Sequence, residues 1–153
     1  MNPVIGINVD SVRTSAEGPE FALGTIGAVD GSGALYKYVK YNNGDAVTAV
    51  AGNFVYYFGT SGANTEVTMD LSESCSVGAG VLQAVIADGG YGWIQVTGYA
   101  VLTTALTAGA DGNSLTPVGA TDGTLDVPTA VTDHICAVAL DASAKKVMLL
   151  CPF

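Results

Sequence analysis

Five Asx-Gly pairs punctuate the chain: Asp30-Gly31, Asn43-Gly44, Asp88-Gly89, Asp111-Gly112 and Asp122-Gly123. Such pairs favour tight turns, because glycine takes positive φ without a Cβ penalty and Asp or Asn tolerates it while bonding locally. Between them lie short runs rich in Val, Thr, Tyr and Ile, residues that suit a pleated, half-buried surface. No window of about a dozen residues combines i, i+3, i+4 apolar spacing with good helix formers free of Gly or Thr. The chain is therefore expected to be all-β, a single-domain β-sandwich or small β-barrel.

The runs can be placed individually. Leu35 to Tyr41 sets Leu35, Val39 and Tyr41 on one face with Lys37 between them, and Tyr36, Tyr38 and Lys40 on the other, so both faces are partly apolar. Phe54 to Phe58 is an aromatic run and Glu66 to Leu71 alternates. Val81 to Ala87 leads through Asp88-Gly89-Gly90 to its hairpin partner, Gly92 to Gly98, where Gly98 breaks or bulges the strand before Tyr99 to Leu106. Gly78-Ala79-Gly80 is expected to shape a loop, and Gly44 to Gly52 a single turn. Residues 107–130 are loop-like with room for a short hairpin, and a last hairpin joins His134 to Leu140 with Lys146 to Leu150. Residues 1–20, with Pro3, Pro19 and scattered polar positions, are expected to form an extended N-terminal arm that orders against a partner. Residues 21–153 make the single β domain.

Composition removes several function classes. Only 12% of the 153 residues are charged and the net charge is -9, where a typical domain carries about 25% charged residues. The basic residues are Arg13, Lys37, Lys40, Lys145 and Lys146 alone. Nucleic acids and anionic lipids are held by clustered Lys and Arg, so neither is expected as a partner. Mean hydropathy is +0.41, yet the longest apolar runs, Ile135 to Leu140 and Val147 to Cys151, fall far short of the ~20 residues a membrane helix needs. Met1-Asn2-Pro3 is not followed by the charged and apolar regions of a signal peptide, which points to synthesis in a cytoplasm. Cys75, Cys136 and Cys151 fit neither a disulfide framework nor a metal knuckle and read as small buried hydrophobes.

Catalytic groupings are sparse. His134 is the sole histidine; in a strand it would share a face with Cys136, making a Cys-His pair conceivable, though a histidine at the start of a strand is the plainer reading. The aspartates before glycine are explained by turn geometry, with calcium ligation as the lesser alternative, and no EF-hand loop is present. Gly78-Ala79-Gly80 lacks the third glycine of a dinucleotide fingerprint. Tyr36, Tyr38, Tyr41, Tyr56, Tyr57 and Trp93 could form a carbohydrate platform, but aromatic residues in strands more often build a core or a subunit interface. No catalytic residue, cofactor or metal site is expected.

Two segments resemble small structural proteins of tailed-bacteriophage heads. The first is Phe21-Ala22-Leu23-Gly24-Thr25, followed by Asp30-Gly31 and Tyr36-Lys37-Tyr38-Val39-Lys40. The second, Ala87-Asp88-Gly89-Gly90-Tyr91-Gly92-Trp93-Ile94-Gln95-Val96-Thr97-Gly98, is similar to their Gly-Tyr-Gly-Trp hairpin. The resemblance implies a capsid decoration, or cement, protein: a β-rich module, in some members tulip-like and commonly a homotrimer, that binds the major capsid protein. It would be made in the host bacterial cytoplasm and reside on the virion's capsid exterior. Other readings are a head fibre, neck or tail-tube subunit, or a carbohydrate- or receptor-binding module. Apolar residues on an unsupported arm need cover, so Val4, Ile5 and Ile7 are the expected capsid contacts, unless they pair as an edge strand of their own domain.

Overall fold

The computed structural model describes residues 3–59 and 64–153. Met1 and Asn2, at the start of the expected arm, lie outside the described residues. Among those described there are ten strands and no helix: β1 (Val4–Ile5), β2 (Ile26–Ala28), β3 (Leu35–Tyr41), β4 (Phe54–Phe58), β5 (Glu66–Thr68), β6 (Ser74–Leu82), β7 (Tyr91–Val101), β8 (Ser114–Leu115), β9 (Ala137–Asp141) and β10 (Lys146–Leu150). The all-β expectation holds. The glycines of all five Asx-Gly pairs take positive φ, between 54° and 83°.

Strands β3, β5, β4, β6 and β7 are neighbours in that order, and pairing of β3 with β7 closes them into a small barrel. Further strands extend from β3 and β7. β2 pairs with the first half of β3 and carries β1 in parallel. β7, eleven residues long, pairs with β3 up to Thr97 and with β10 from Thr97 to Val101. β9 and β8 continue that second sheet. Gly98 was expected to interrupt β7, yet the strand runs through it; at φ +92° it sits where the strand passes from barrel to outer sheet.

The hairpin before β7 differs from the sequence expectation. The partner strand is Ser74–Leu82, and Gln83 to Gly90 is its connection. The apolar stretch Val85-Ile86 leaves the ladder because the loop is tied to the end of β3: Gly89 N–H donates to the Tyr41 carbonyl, Tyr41 N–H to the Gly90 carbonyl, and Ile86 is buried. Gly78-Ala79-Gly80 is strand, not loop. Its glycines meet crowding: a Cβ at Gly78 would come within 2.6 Å of Cys136 Sγ and 2.9 Å of the Phe54 ring. The last hairpin's first strand begins at Ala137 rather than His134, because Asp133 turns back onto the Thr129 and Ala130 N–H groups and the His134 carbonyl accepts Thr116 Oγ1.

β3 divides the core in two, as its alternation predicts. Val39 and Tyr41 face the main cluster, with Phe54, Val55, Ile94, Leu82 and residues of β9 and β10. Ala34, Tyr36 and Tyr38 join Trp93 in a second cluster on the opposite face. The Tyr38 and Trp93 rings lie 5.0 Å apart and Phe21 packs on both, at 5.4 and 5.3 Å, within the range where edge-to-face rings attract. Ile7 and Val9 of the N-terminal segment also cover this cluster, and Arg13 exchanges backbone hydrogen bonds with Tyr91.

Candidate interaction face

The outer sheet of β7, β10 and β9 has two apolar sides. Ala100, Val147, Leu149, Ala137 and Ala139 point inward and are buried. Strand alternation then sends Tyr99, Val101, Met148 and Leu150 outward, where they are 52%, 49%, 37% and 57% exposed. The register lines them up: Met148 lies opposite Tyr99 on one side and Val138 on the other, and Leu150 lies opposite Thr97. Cross-strand neighbours stand about 5 Å apart, so these side chains form one patch. A bulge between Lys146 and Val147 leaves Leu140 exposed beside it.

Charge is confined to one rim. Lys146 Nζ lies 3.9 Å from Asp141 Oδ2. The Asp141 carboxylate is held below its usual pKa first by the Ala144 N–H, then by the Ser143 hydroxyl, with Lys146 contributing less. A contiguous apolar face with its ions at the edge is the pattern of an association surface, whereas single exposed apolar residues are ordinary.

The sequence-predicted contacts fall elsewhere. Val4 and Ile5 are exposed on β1, at the opposite end of the strand order from β9 and β8. They pair with Gly27 and Ala28 of the chain's own β2. Ile7 turns inward against Gly27 and the Trp93 cluster. The structure therefore keeps Val4 and Ile5 together and separates Ile7 from them. The β7–β10–β9 face carries a sequence signal beyond a run too short to span a membrane: Val147 to Cys151 is apolar at every position, so a strand there has apolar residues on both faces.

Other chemistry finds little support in side-chain placement. His134 is exposed while Cys136 is fully buried and directs its Sγ to the Leu115 carbonyl. Cys75 is exposed on β6, against the expectation of burial, while Cys136 and Cys151 are buried as expected. Three of the four aspartates in the Asx-Gly turns tie distant loops: Asp88 accepts the Asn43 N–H, Asp111 the Ala142 N–H and Asp122 the Leu71 N–H. No group of three or more His, Cys, Asp or Glu among the described residues is arranged to hold a metal ion. A cleft of about 730 Å³ between Ala105 and Asp111 and beside Ala142 and Ser143 has Asp111 as its one titratable side chain. The six aromatic residues weighed as a sugar platform, Tyr36, Tyr38, Tyr41, Tyr56, Tyr57 and Trp93, are all buried.

One buried cation stands apart. Lys37 is 2% exposed; its Nζ donates to Tyr57 Oη at 3.0 Å and lies 5.0 Å from that ring's centroid. Tyr57 in turn donates to the Pro152 carbonyl at 3.1 Å. Burial lowers the Lys37 pKa, and burial, then the nearby Cys151 and Cys75 thiols, raise that of Tyr57. The chain of bonds links β3, β4 and the stretch after β10. Comparison with protein-family models, curated proteins and solved structures gives no match.

Proposed function

We propose that the chain is a non-enzymatic decoration protein of a bacteriophage capsid, which binds the outside of the expanded head and stabilises it. The observation that carries this reading is the apolar β7–β10–β9 face, with its charges at the rim. Desolvating charges costs more than it returns unless they are well paired, so a face built to be covered is best left neutral. The low charge of the whole chain and the two phage-head-like segments support the same reading. The Gly-Tyr-Gly-Trp segment opens β7, whose far end supplies Tyr99 and Val101. Val4 and Ile5 offer a second apolar contact on β1.

The mechanism is linkage. A ligand that binds the assembled lattice but not free subunits stabilises the lattice by about 2.7 kcal/mol per site at a hundredfold excess over Kd. Repeated over many sites, this opposes the outward pressure of packaged DNA. Three copies sharing one capsid site, as in a homotrimer, would add avidity without new contacts.

Co-sedimentation tests the proposal. Expanded heads stripped of the protein should bind it saturably, unexpanded heads should bind it poorly, and its free mass should be that of a monomer or trimer. A hexameric ring or polymer in solution, with no binding to heads, would instead favour a tail-tube subunit.

A further inference from the structure

We propose that Cys136 and Cys151 are a disulfide-forming pair that, once oxidised, staples the stretch after β10 to the segment leading into β9. This inference concerns the chain's own chemistry and does not depend on what the apolar face binds. The two thiols are brought together by the ladder. Leu150 N–H donates to the Cys136 carbonyl at 2.8 Å, and Cys151 Sγ lies 3.5 Å from that same carbonyl oxygen. Both side chains belong to the main core cluster, and each thiol donates to a backbone carbonyl, Cys136 to Leu115 and Cys151 to Cys136. Cys75, on β6, is exposed.

In the reduced state the pair is well protected. The neighbouring Cys151 side chain, followed by burial, pushes the Cys136 thiol well above its ordinary pKa, so little of it is thiolate, the form that reacts. Oxidation therefore depends on local opening of the last strand. The oxidant is a small disulfide such as oxidised glutathione. The Cys151 thiolate, the less buried of the two, attacks the glutathione S–S bond and releases one glutathione thiolate. The Cys136 thiolate then attacks the mixed disulfide and releases the second. The protein loses two protons and two electrons, and one oxidised glutathione becomes two reduced ones.

The staple would fix the group that Tyr57 holds. Cys151 N–H donates to the Val96 carbonyl and Tyr57 Oη to the Pro152 carbonyl, so the link would secure the segment that is hydrogen-bonded to β4 and β7.

The test uses the full chain with Cys75→Ser, which removes the exposed thiol. One sample of folded protein is treated with oxidised glutathione; another is refolded from denaturant in a glutathione redox buffer. Both are alkylated and analysed by mass spectrometry after trypsin. The expected result is a covalent link between the peptides carrying Cys136 and Cys151, and a rise in melting temperature that dithiothreitol reverses. Adding Cys151→Ser should abolish both. Linkage in either sample supports the pair; the absence of linkage in both, glutathione adducts on each cysteine, or disulfide-linked dimers overturns it.

Discussion

Lys37→Met should make the protein more stable, and by an amount that depends on pH. Lys37 is enclosed between β3 and β4 with Tyr57 Oη as its partner. None of the ion pairs among the described residues includes it. Exchanging a buried charge that lacks a counter-ion for an apolar side chain of similar volume gains about 1–4 kcal/mol. Loss of the bond to Tyr57 gives back about 1 kcal/mol, and Tyr57 keeps its bond to Pro152. The net gain is about 0–3 kcal/mol near neutral pH, or about 2–4 °C in melting temperature per kcal/mol.

The pH dependence follows from the lowered Lys37 pKa. Between that folded value and the unfolded value near ~10.4, the unfolded chain holds a proton that the folded one does not, so wild-type stability rises with pH. The variant lacks this rise, and its advantage should shrink as pH climbs. Above about pH 10 both proteins lose stability, because unfolded tyrosines ionise there while burial raises Tyr41 to about 12 and raises Tyr56 and Tyr57 as well. Urea unfolding followed by far-UV circular dichroism at neutral pH and at about pH 9.5 reads both effects. A variant less stable than wild type, or an advantage constant with pH, would refute the reasoning.

Three further outcomes follow from the packing. Gly78→Val should lower stability by about 1–3 kcal/mol through overpacking, since even a Cβ there meets Cys136 and Phe54; thermal unfolding checks it. Deleting residues 1–20 should uncover the Trp93 cluster, shift tryptophan emission to longer wavelength and lower the melting temperature. Trp93 Nε1, buried with no hydrogen-bond partner among the described residues, would then reach water. Asp122→Ala should cost about 1 kcal/mol by freeing the Leu71 N–H from its cross-loop acceptor, and faster amide exchange at Leu71 would show it.

Local patterning made much of the fold legible. Leu35 to Tyr41 and Phe54 to Phe58 form strands over the residues expected, and the Asx-Gly pairs turn where they stand. The errors arise where tertiary contacts override local preference. Val85 and Ile86 look like strand, but the anchoring of Gly89 and Gly90 on Tyr41 makes them loop. Gly78 and Gly80 look like loop, but close approach of Cys136 and Gln95 makes glycine the residue that fits a strand there. Barrel closure rests on β3 finding β7, a pairing between distant segments that no local pattern encodes. The same holds for the candidate face: Tyr99 and Met148 are each unremarkable in sequence, and only the β7–β10 register makes them neighbours.

Oxidative footprinting of the protein free and bound to expanded heads tests the central claim most directly. Met148, 37% exposed, sits in the middle of the face, while Met69 is buried and serves as an internal control. Hydroxyl radicals should modify Met148 and Tyr99 readily in the free protein and much more slowly on heads, with Met69 protected in both. Equal modification of Met148 and Tyr99 in the two states would contradict it.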